Sequence, residues 1–96
     1  MKHIVLFSLR DDISAEEKAQ AMQNFRDGIL GLPSQIDGIS SIEVEFNKNE
    51  NEAYDIALVA QLDTLEDIRR YSVHPAHQAV ASALKPYVKS RACVDY

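Results

Sequence analysis

The sequence predicts an α+β domain in which a four-stranded antiparallel sheet is covered by helices on one face. Four segments have the length and apolar pattern of strands, and two have apolar residues three and four apart, as in helices. Their order along the chain is β-α-β-β-α-β, the split βαβ arrangement. A chain of 96 residues has the size of one domain with one hydrophobic core. We therefore treat residues 2–96 as a single domain.

The first predicted strand, Lys2 to Leu9, is apolar on both faces. Side chains alternate between the two faces of a strand. One face carries an imidazole and three apolar side chains, and the other carries two apolar side chains: His3, Val5, Phe7 and Leu9, then Ile4 and Leu6. A strand that is apolar on both faces is typical of the middle of a sheet with a cover on each side.

The first helix is predicted to begin after Ser14. Ser14 and Glu17 have the spacing of a capping box, in which the serine hydroxyl accepts a hydrogen bond from the Glu17 amide. Apolar residues then recur at helical spacing as far as Leu30. Gly31 and Pro33 follow, and both residue types commonly end a helix.

Two strands joined by a polar loop come next. Ile42, Val44 and Phe46 alternate with glutamates, which indicates a strand with one solvated face, nearer an edge of the sheet. Asn47 to Glu52 is a polar, turn-forming run that suits a hairpin loop. The strand from Tyr54 to Leu62 is apolar on both faces again.

The second helical region is predicted in two pieces. Asp63 and Thr64 offer an N-cap for a short helix through about Tyr71. Proline suits the first turn of a helix and disfavours helical conformation in the preceding residue, so a second piece is expected from Pro75 to near Pro86. Val88 to Val94 completes the sheet.

One layer of helices leaves the second apolar face of the central strands uncovered. The simplest cover is the same face of a second copy of the chain. The sequence therefore predicts a homodimer whose sheets face one another, with the net charge of −5 carried by helices and loops.

Composition excludes several classes of function. Fifteen acidic residues outnumber ten basic ones, and the basic residues are scattered, so nucleic acid is not an expected partner. Cys93 is the single cysteine and cannot form an internal disulfide, which favours a reducing, cytoplasmic location. The apolar part of the first ten residues is too short for a signal peptide or a membrane span, so no membrane association is expected.

The candidate chemical groups are Tyr71, His77 and His3. In a helix beginning at Pro75, His77 lies in the first turn, where the positive end of the helix dipole favours a neutral imidazole that can act as a base. The alternative is purely structural: His74 caps the helix and His77 is a half-buried packing residue. Two histidines three residues apart, without an evident third ligand, do not form a closed zinc pattern, so no metal is predicted.

His3 and Tyr71 gain interest from their expected positions. The helix bearing His77 has to pack on a central strand, and His3 lies on such a strand. Tyr71 could bring a hydroxyl to the same cavity, although an ordinary half-buried aromatic is the simpler interpretation. The sequence contains no phosphate-binding glycine loop and no paired cysteines, so no cofactor is predicted.

Three features together resemble a known family, the stress-responsive A/B barrel (Dabb) domain. They are the Tyr-x-x-His-Pro-x-His run from Tyr71 to His77, the strand beginning Lys2-His3-Ile-Val-Leu-Phe, and the order of elements. The resemblance spans essentially the whole chain. It implies a ferredoxin-like unit that pairs sheet to sheet in a dimeric α/β barrel, in a family where most members have no assigned activity.

The resemblance also implies roles for these residues. One plant enzyme of the family closes a linear polyketide by aldol condensation without a cofactor. Its catalytic tyrosine and histidine match Tyr71 and His77, and a histidine lining its pocket matches His3. A further pocket histidine of that enzyme corresponds to Ile56 here, which sets this chain apart from that substrate. Similar barrels act as monooxygenases or isomerases.

The sequence leads to three alternative functions. The first is binding of a small apolar or carbonyl-containing molecule in a mostly apolar pocket near His77. The second is a cofactor-independent cyclase or isomerase, in which His77 is the base, Tyr71 stabilises the enolate and His3 orients the substrate. The third is a purely structural stress protein, whose pocket would be filled by its own side chains.

Overall fold

The computed structural model describes residues 1–96 and contains four strands and three α-helices. In chain order they are β1 (Lys2–Leu9), α1 (Ala15–Leu30), β2 (Ile39–Phe46), β3 (Ile56–Leu62), α2 (Leu65–Val73), α3 (Pro75–Leu84) and β4 (Val88–Asp95). Short 3₁₀ turns follow α1 and α3. This is the predicted order, with the second helical region in two pieces. Predicted and observed ends differ slightly, as at β3, which begins at Ile56 rather than Tyr54.

The strands form one sheet in the order β2-β3-β1-β4, and all neighbours are antiparallel. β1 therefore lies in the middle and β2 lies at an edge, as their apolar patterns predict. In this register His3 faces Ala60 of β3 on one side and Asp95 of β4 on the other. The pairing brings the two ends of the chain together at one corner of the sheet.

The hydrophobic core lies between the helices and one sheet face. β1 contributes Val5 and Leu9, β3 contributes alternate residues from Ile56 to Leu62, and α1 contributes Phe25 and Ile29. α1 begins where the sequence predicts, because the Ser14 hydroxyl accepts from the Glu17 amide at 3.1 Å. His3 is buried on this same core face.

The opposite sheet face, which we call the open face, carries no helix. Cross-strand pairing places three pairs of small or apolar residues together there: Ile4 and Leu6 of β1, Ala57 and Val59 of β3, and Ala92 and Val94 of β4. Val94 is 58% exposed. Two glutamates of β2, Glu43 and Glu45, pair with β3 along one border of this face. The longest helix, α1, has 16 residues, and no helix combines the length and the hydropathy that a membrane span requires.

Candidate functional site

The structure brings His3, Tyr71 and His77 together on the core side of the sheet. The ring centroid of Tyr71 lies 4.6 Å from that of His77 and 5.9 Å from that of His3. The three side chains come from β1, α2 and α3. Their convergence was expected from the sequence, and the Tyr71 ring packs near both imidazoles.

The His77 ring is oriented by a backbone carbonyl. Its Nδ1 lies 3.0 Å from the Ser72 oxygen. A carbonyl oxygen can only accept, so Nδ1 carries the proton and Nε2 holds the free lone pair of the neutral ring. Burial lowers the pKa of His77, the Ser72 hydrogen bond opposes that shift, and the nearby His3 and Arg91 lower the pKa further. Burial is therefore the main cause of the lowered pKa of His77, one of the two causes expected from the sequence beside the helix N-terminus.

His74 has the structural role that was considered for it. Its Nδ1 accepts a hydrogen bond from the Ala76 amide at 3.1 Å and so caps the first turn of α3. Pro75 follows it at the first helical position. His74 is thereby engaged in shaping the turn that presents His77.

Tyr71 is buried, and its hydroxyl has no hydrogen-bond partner. The residue is 1% exposed, and burial raises the pKa of its phenol. An unsatisfied buried hydroxyl costs about 1–3 kcal/mol, so it is an unusual feature in a small core. The hydroxyl is a donor that the rest of the protein does not use.

His3 is paired with Asp95, a residue that the sequence analysis did not single out. The His3 Nδ1 lies 2.6 Å from an Asp95 carboxylate oxygen, so in the neutral ring Nδ1 donates and Nε2 stays free. Cys93 lies 3.6 Å from both groups, and these three side chains are the ones that could together hold a metal ion. The feature that could have indicated this pair is the antiparallel pairing of the first and last strands, which places Asp95 opposite His3.

A cavity of about 320 Å³ lies between α3 and the sheet, beside His77. Half of its lining residues are apolar and half are polar, and apolar atoms form the larger share of its surface, as the sequence predicts. The apolar part comes from Val5, Phe7, Phe25, Leu58, Ala81, Leu84 and Val88. The polar part comes from His3, Ser72, His77, Gln78, Ser82, Lys85 and Arg91.

Two properties of this lining were not foreseen. It contains two cations, Lys85 and Arg91, and no carboxylate, although acidic residues outnumber basic ones in the chain. Tyr71 does not line the cavity; it lies behind His77. A larger groove of about 460 Å³ between α1 and α3 contains none of the histidines, so we regard the His77 cavity as the candidate site.

Comparison with known proteins supports the fold and identifies relatives of the chain. The family model of the stress responsive A/B barrel domain matches residues 1–96. An uncharacterised protein of Streptomyces coelicolor is 33% identical over 82 residues, which are 82% of this chain and 80% of that protein. The olivetolic acid cyclase of Cannabis sativa is 22% identical over 96 residues, covering 100% of this chain and 94% of the cyclase.

A solved structure agrees closely with the fold. A protein of unknown function from Bacteroides fragilis, described as dimeric and ferredoxin-like, is 47% identical to this chain and has a TM-score of 0.97. The match covers 99% of this chain and 92% of that one. The ferredoxin-like architecture predicted from the sequence is thus confirmed.

Proposed function

This chain belongs to the stress-responsive A/B barrel (Dabb) family, and from that premise we propose that it binds a small molecule in the cavity beside His77. The ligand combines an apolar body with a carbonyl or carboxylate oxygen. One observation carries the proposal: the cavity pairs a wall of core side chains with two cations and no carboxylate, in a chain of net charge −5. A concave site with a few polar groups is the usual form of a small-molecule site.

Each half of the lining suits one half of such a ligand. Phe7, Phe25 and Leu58 offer apolar surface, whose burial against a ligand is favourable in proportion to its area. Arg91 and Lys85 can donate charge-assisted hydrogen bonds to an oxygen at the polar end.

A matched pair of probes tests this proposal. We expect 4-butylbenzoate to bind about tenfold or more tightly than the neutral 4-butylbenzamide, because a hydrogen bond to a charged group contributes about 1.5–3 kcal/mol. Titration followed by amide chemical shifts gives affinity and location together. The Arg91→Gln variant should lose the preference, whereas Lys89→Gln, an exposed cation outside the cavity, should keep it. Equal affinity for the two probes, or shifts confined to other surfaces, would contradict the proposal.

Catalysis is the second candidate, and the unpartnered Tyr71 hydroxyl favours it. In this scheme His77 Nε2 removes a proton from the carbon next to a carbonyl, and the C–H electron pair moves onto the carbonyl oxygen. Tyr71 then donates its O–H to the enolate oxygen, an interaction typically worth about 3 kcal/mol of barrier in a dry site. Tyr71 does not line the cavity, so a substrate reaches that hydroxyl only after local movement of the side chains around it. His3 is assigned the role of orienting the substrate.

Proton exchange separates catalysis from binding. We expect the protein to accelerate deuterium exchange at the carbons beside the carbonyl of 2-heptanone, followed by NMR in heavy water. His77→Gln should abolish the acceleration and Tyr71→Phe should reduce it. If the wild-type protein binds the butylbenzoate probe yet never accelerates exchange, the chain is a binding protein of this fold.

We also propose that the chain is a homodimer joined through the open face. The observation is the cluster of apolar side chains there, Ile4, Leu6, Val59 and Val94 among them, which no helix covers. Contiguous apolar surface of this kind marks an interaction site. The 47% identical Bacteroides fragilis protein is described as dimeric, which supports the same assembly here.

A further inference from the structure

A second group of chemical side chains lies at the corner where the first and last strands meet. His3 of β1 pairs directly with Asp95 of β4, and Cys93 lies two residues earlier on β4, opposite Val5. Residues two apart on a strand share a face. The backbone pairing therefore aims an imidazole, a thiol and a carboxylate at one small volume, although about ninety residues separate His3 from the other two.

The distances among the three donor atoms suit a metal ion. The Cys93 Sγ is 3.6 Å from the His3 Nδ1 and 3.6 Å from the Asp95 Oδ1, and those two atoms are 2.6 Å apart. A triangle with these sides has a circumradius of about 1.9 Å. Points just above its plane are about 2.0–2.3 Å from all three atoms, the range of zinc bonds to nitrogen, oxygen and sulfur. Two donors about 2.0 Å from a tetrahedral ion lie about 3.3 Å apart, so the His3 and Asp95 atoms have to separate by less than about 1 Å when the ion replaces their shared proton.

The chemistry of the donors agrees with the geometry. Imidazole, thiolate and carboxylate are the protein ligands that zinc prefers, and three of them leave a fourth position for water or another small ligand. The Asp95 side chain is 28% exposed and Cys93 lies at the surface, so an ion has a path from solvent. We propose that His3, Cys93 and Asp95 form a Zn²⁺ site with one open coordination position.

Zinc binding changes which atoms of His3 and Cys93 carry protons. Zinc takes the lone pair of the His3 Nδ1, so the ring proton moves to Nε2 and its hydrogen bond to Asp95 is replaced by two metal bonds. Cys93 binds as the thiolate and gives its proton to solvent, so one proton is released per ion. The thiolate and the carboxylate supply two negative charges beside the single positive charge of Arg91, so the site keeps a net negative charge that attracts a cation.

Cobalt substitution tests the site independently of any organic ligand. In the full-length, untagged and reduced protein, we expect Co²⁺ to produce a thiolate-to-cobalt charge-transfer band in the near ultraviolet. The band should saturate at one equivalent per chain, and Zn²⁺ should abolish it by displacement. A protein that gives no saturable band, or that needs several equivalents, would overturn the proposal.

Variants separate this site from adventitious binding. Cys93→Ser, at an exposed position that should tolerate the change, is expected to remove the band and weaken Zn²⁺ binding about tenfold or more. Asp95→Asn should keep a band but weaken binding similarly. Asp63→Asn, an exposed acid elsewhere, and His74→Asn, outside the cluster, should bind like the wild type. Unchanged Zn²⁺ affinity in both Cys93→Ser and Asp95→Asn would show that the metal lies elsewhere.

Discussion

At the residue scale, the orientation of His77 follows from the break between α2 and α3. In a continuous helix the Ala76 amide would bond to the Ser72 carbonyl four residues earlier. Here the His74 side chain takes the Ala76 amide, and the Ser72 oxygen instead accepts from the His77 Nδ1 and from the Gln78 side chain at 2.8 Å. Pro75 therefore does more than interrupt a helix. With the helix broken there, the His74 side chain takes the Ala76 amide and the Ser72 carbonyl is free to accept from Nδ1 of His77, which leaves Nε2 as the available base.

The lowered pKa of His77 predicts a pH dependence of stability. Below about 6.5, the ordinary value, the unfolded chain protonates this histidine more readily than the folded protein does, so stability falls as pH decreases. The groups facing His77 are Tyr71, His3 and Arg91, and two of them lower its pKa. We expect the loss of melting temperature between pH 7 and pH 5.5 to be smaller in His77→Gln than in the wild type, measured with a chelator present.

His74→Asn is the control for that experiment. Asparagine is a good N-cap, so the turn should survive, and the variant shows how much of the pH profile comes from losing the His74 side chain and not from His77. Identical pH profiles for the wild type and His77→Gln would contradict the assignment of a depressed pKa to this residue.

At the element scale, the packing of α1 on α3 depends on a glycine inside a helix. A Cβ on Gly28 would lie 2.9 and 3.0 Å from the two methyl carbons of Val80. Val80 is β-branched and has little freedom to rotate away within a helix. A mid-helix glycine costs about 1 kcal/mol relative to alanine, so close approach of the two helices explains its presence.

The effect of Gly28→Ala on the free energy of unfolding is expected to change sign when the Val80 methyl groups are removed. Gly28→Ala should lower the free energy of unfolding by about 1–3 kcal/mol, because overpacking outweighs the gain in helix propensity. In a Val80→Ala background, where the two methyl groups are gone, the same change should raise it by up to about 1 kcal/mol. Urea unfolding of the four proteins measures both effects. A stabilising Gly28→Ala in the wild-type background would refute the packing argument.

At the scale of the whole molecule, the sheet is covered on one face only. The core face is sealed by three helices, while apolar side chains of three strands lie on the open face beside two exposed glutamates of β2. A domain of this size gains substantially from burying such a surface, because small domains bury a smaller share of their total area. The proposed homodimer would therefore add to the stability of the fold.

Two valine-to-glutamate changes test the dimer. At micromolar concentration the wild type should scatter light as twice the 10.8 kDa chain. Val59→Glu introduces a charge on the open face, next to Glu43, and should yield monomers. Val73→Glu makes the same substitution at the end of α2, 70% exposed and away from the sheet, and should remain dimeric. A monodisperse wild-type monomer would contradict the proposed assembly.

Sequence alone was sufficient for the elements and their order, because the signals are local. Alternation in Lys2 to Leu9, the cap at Ser14 and the proline at position 75 act within a few residues, and each appears where it was expected. The likeness of the run from Tyr71 to His77 to a known motif also pointed to the histidine that lines the cavity.

The tertiary structure decided what depends on distant pairing. The partnership of His3 with Asp95 and Cys93 arises because β1 pairs with β4, and no local pattern carries that register. Arg91 joins the cavity for the same reason. The burial of the Tyr71 hydroxyl without a partner depends on how three helices close over one sheet face, since solvent exclusion is a property of packed layers and not of any one segment.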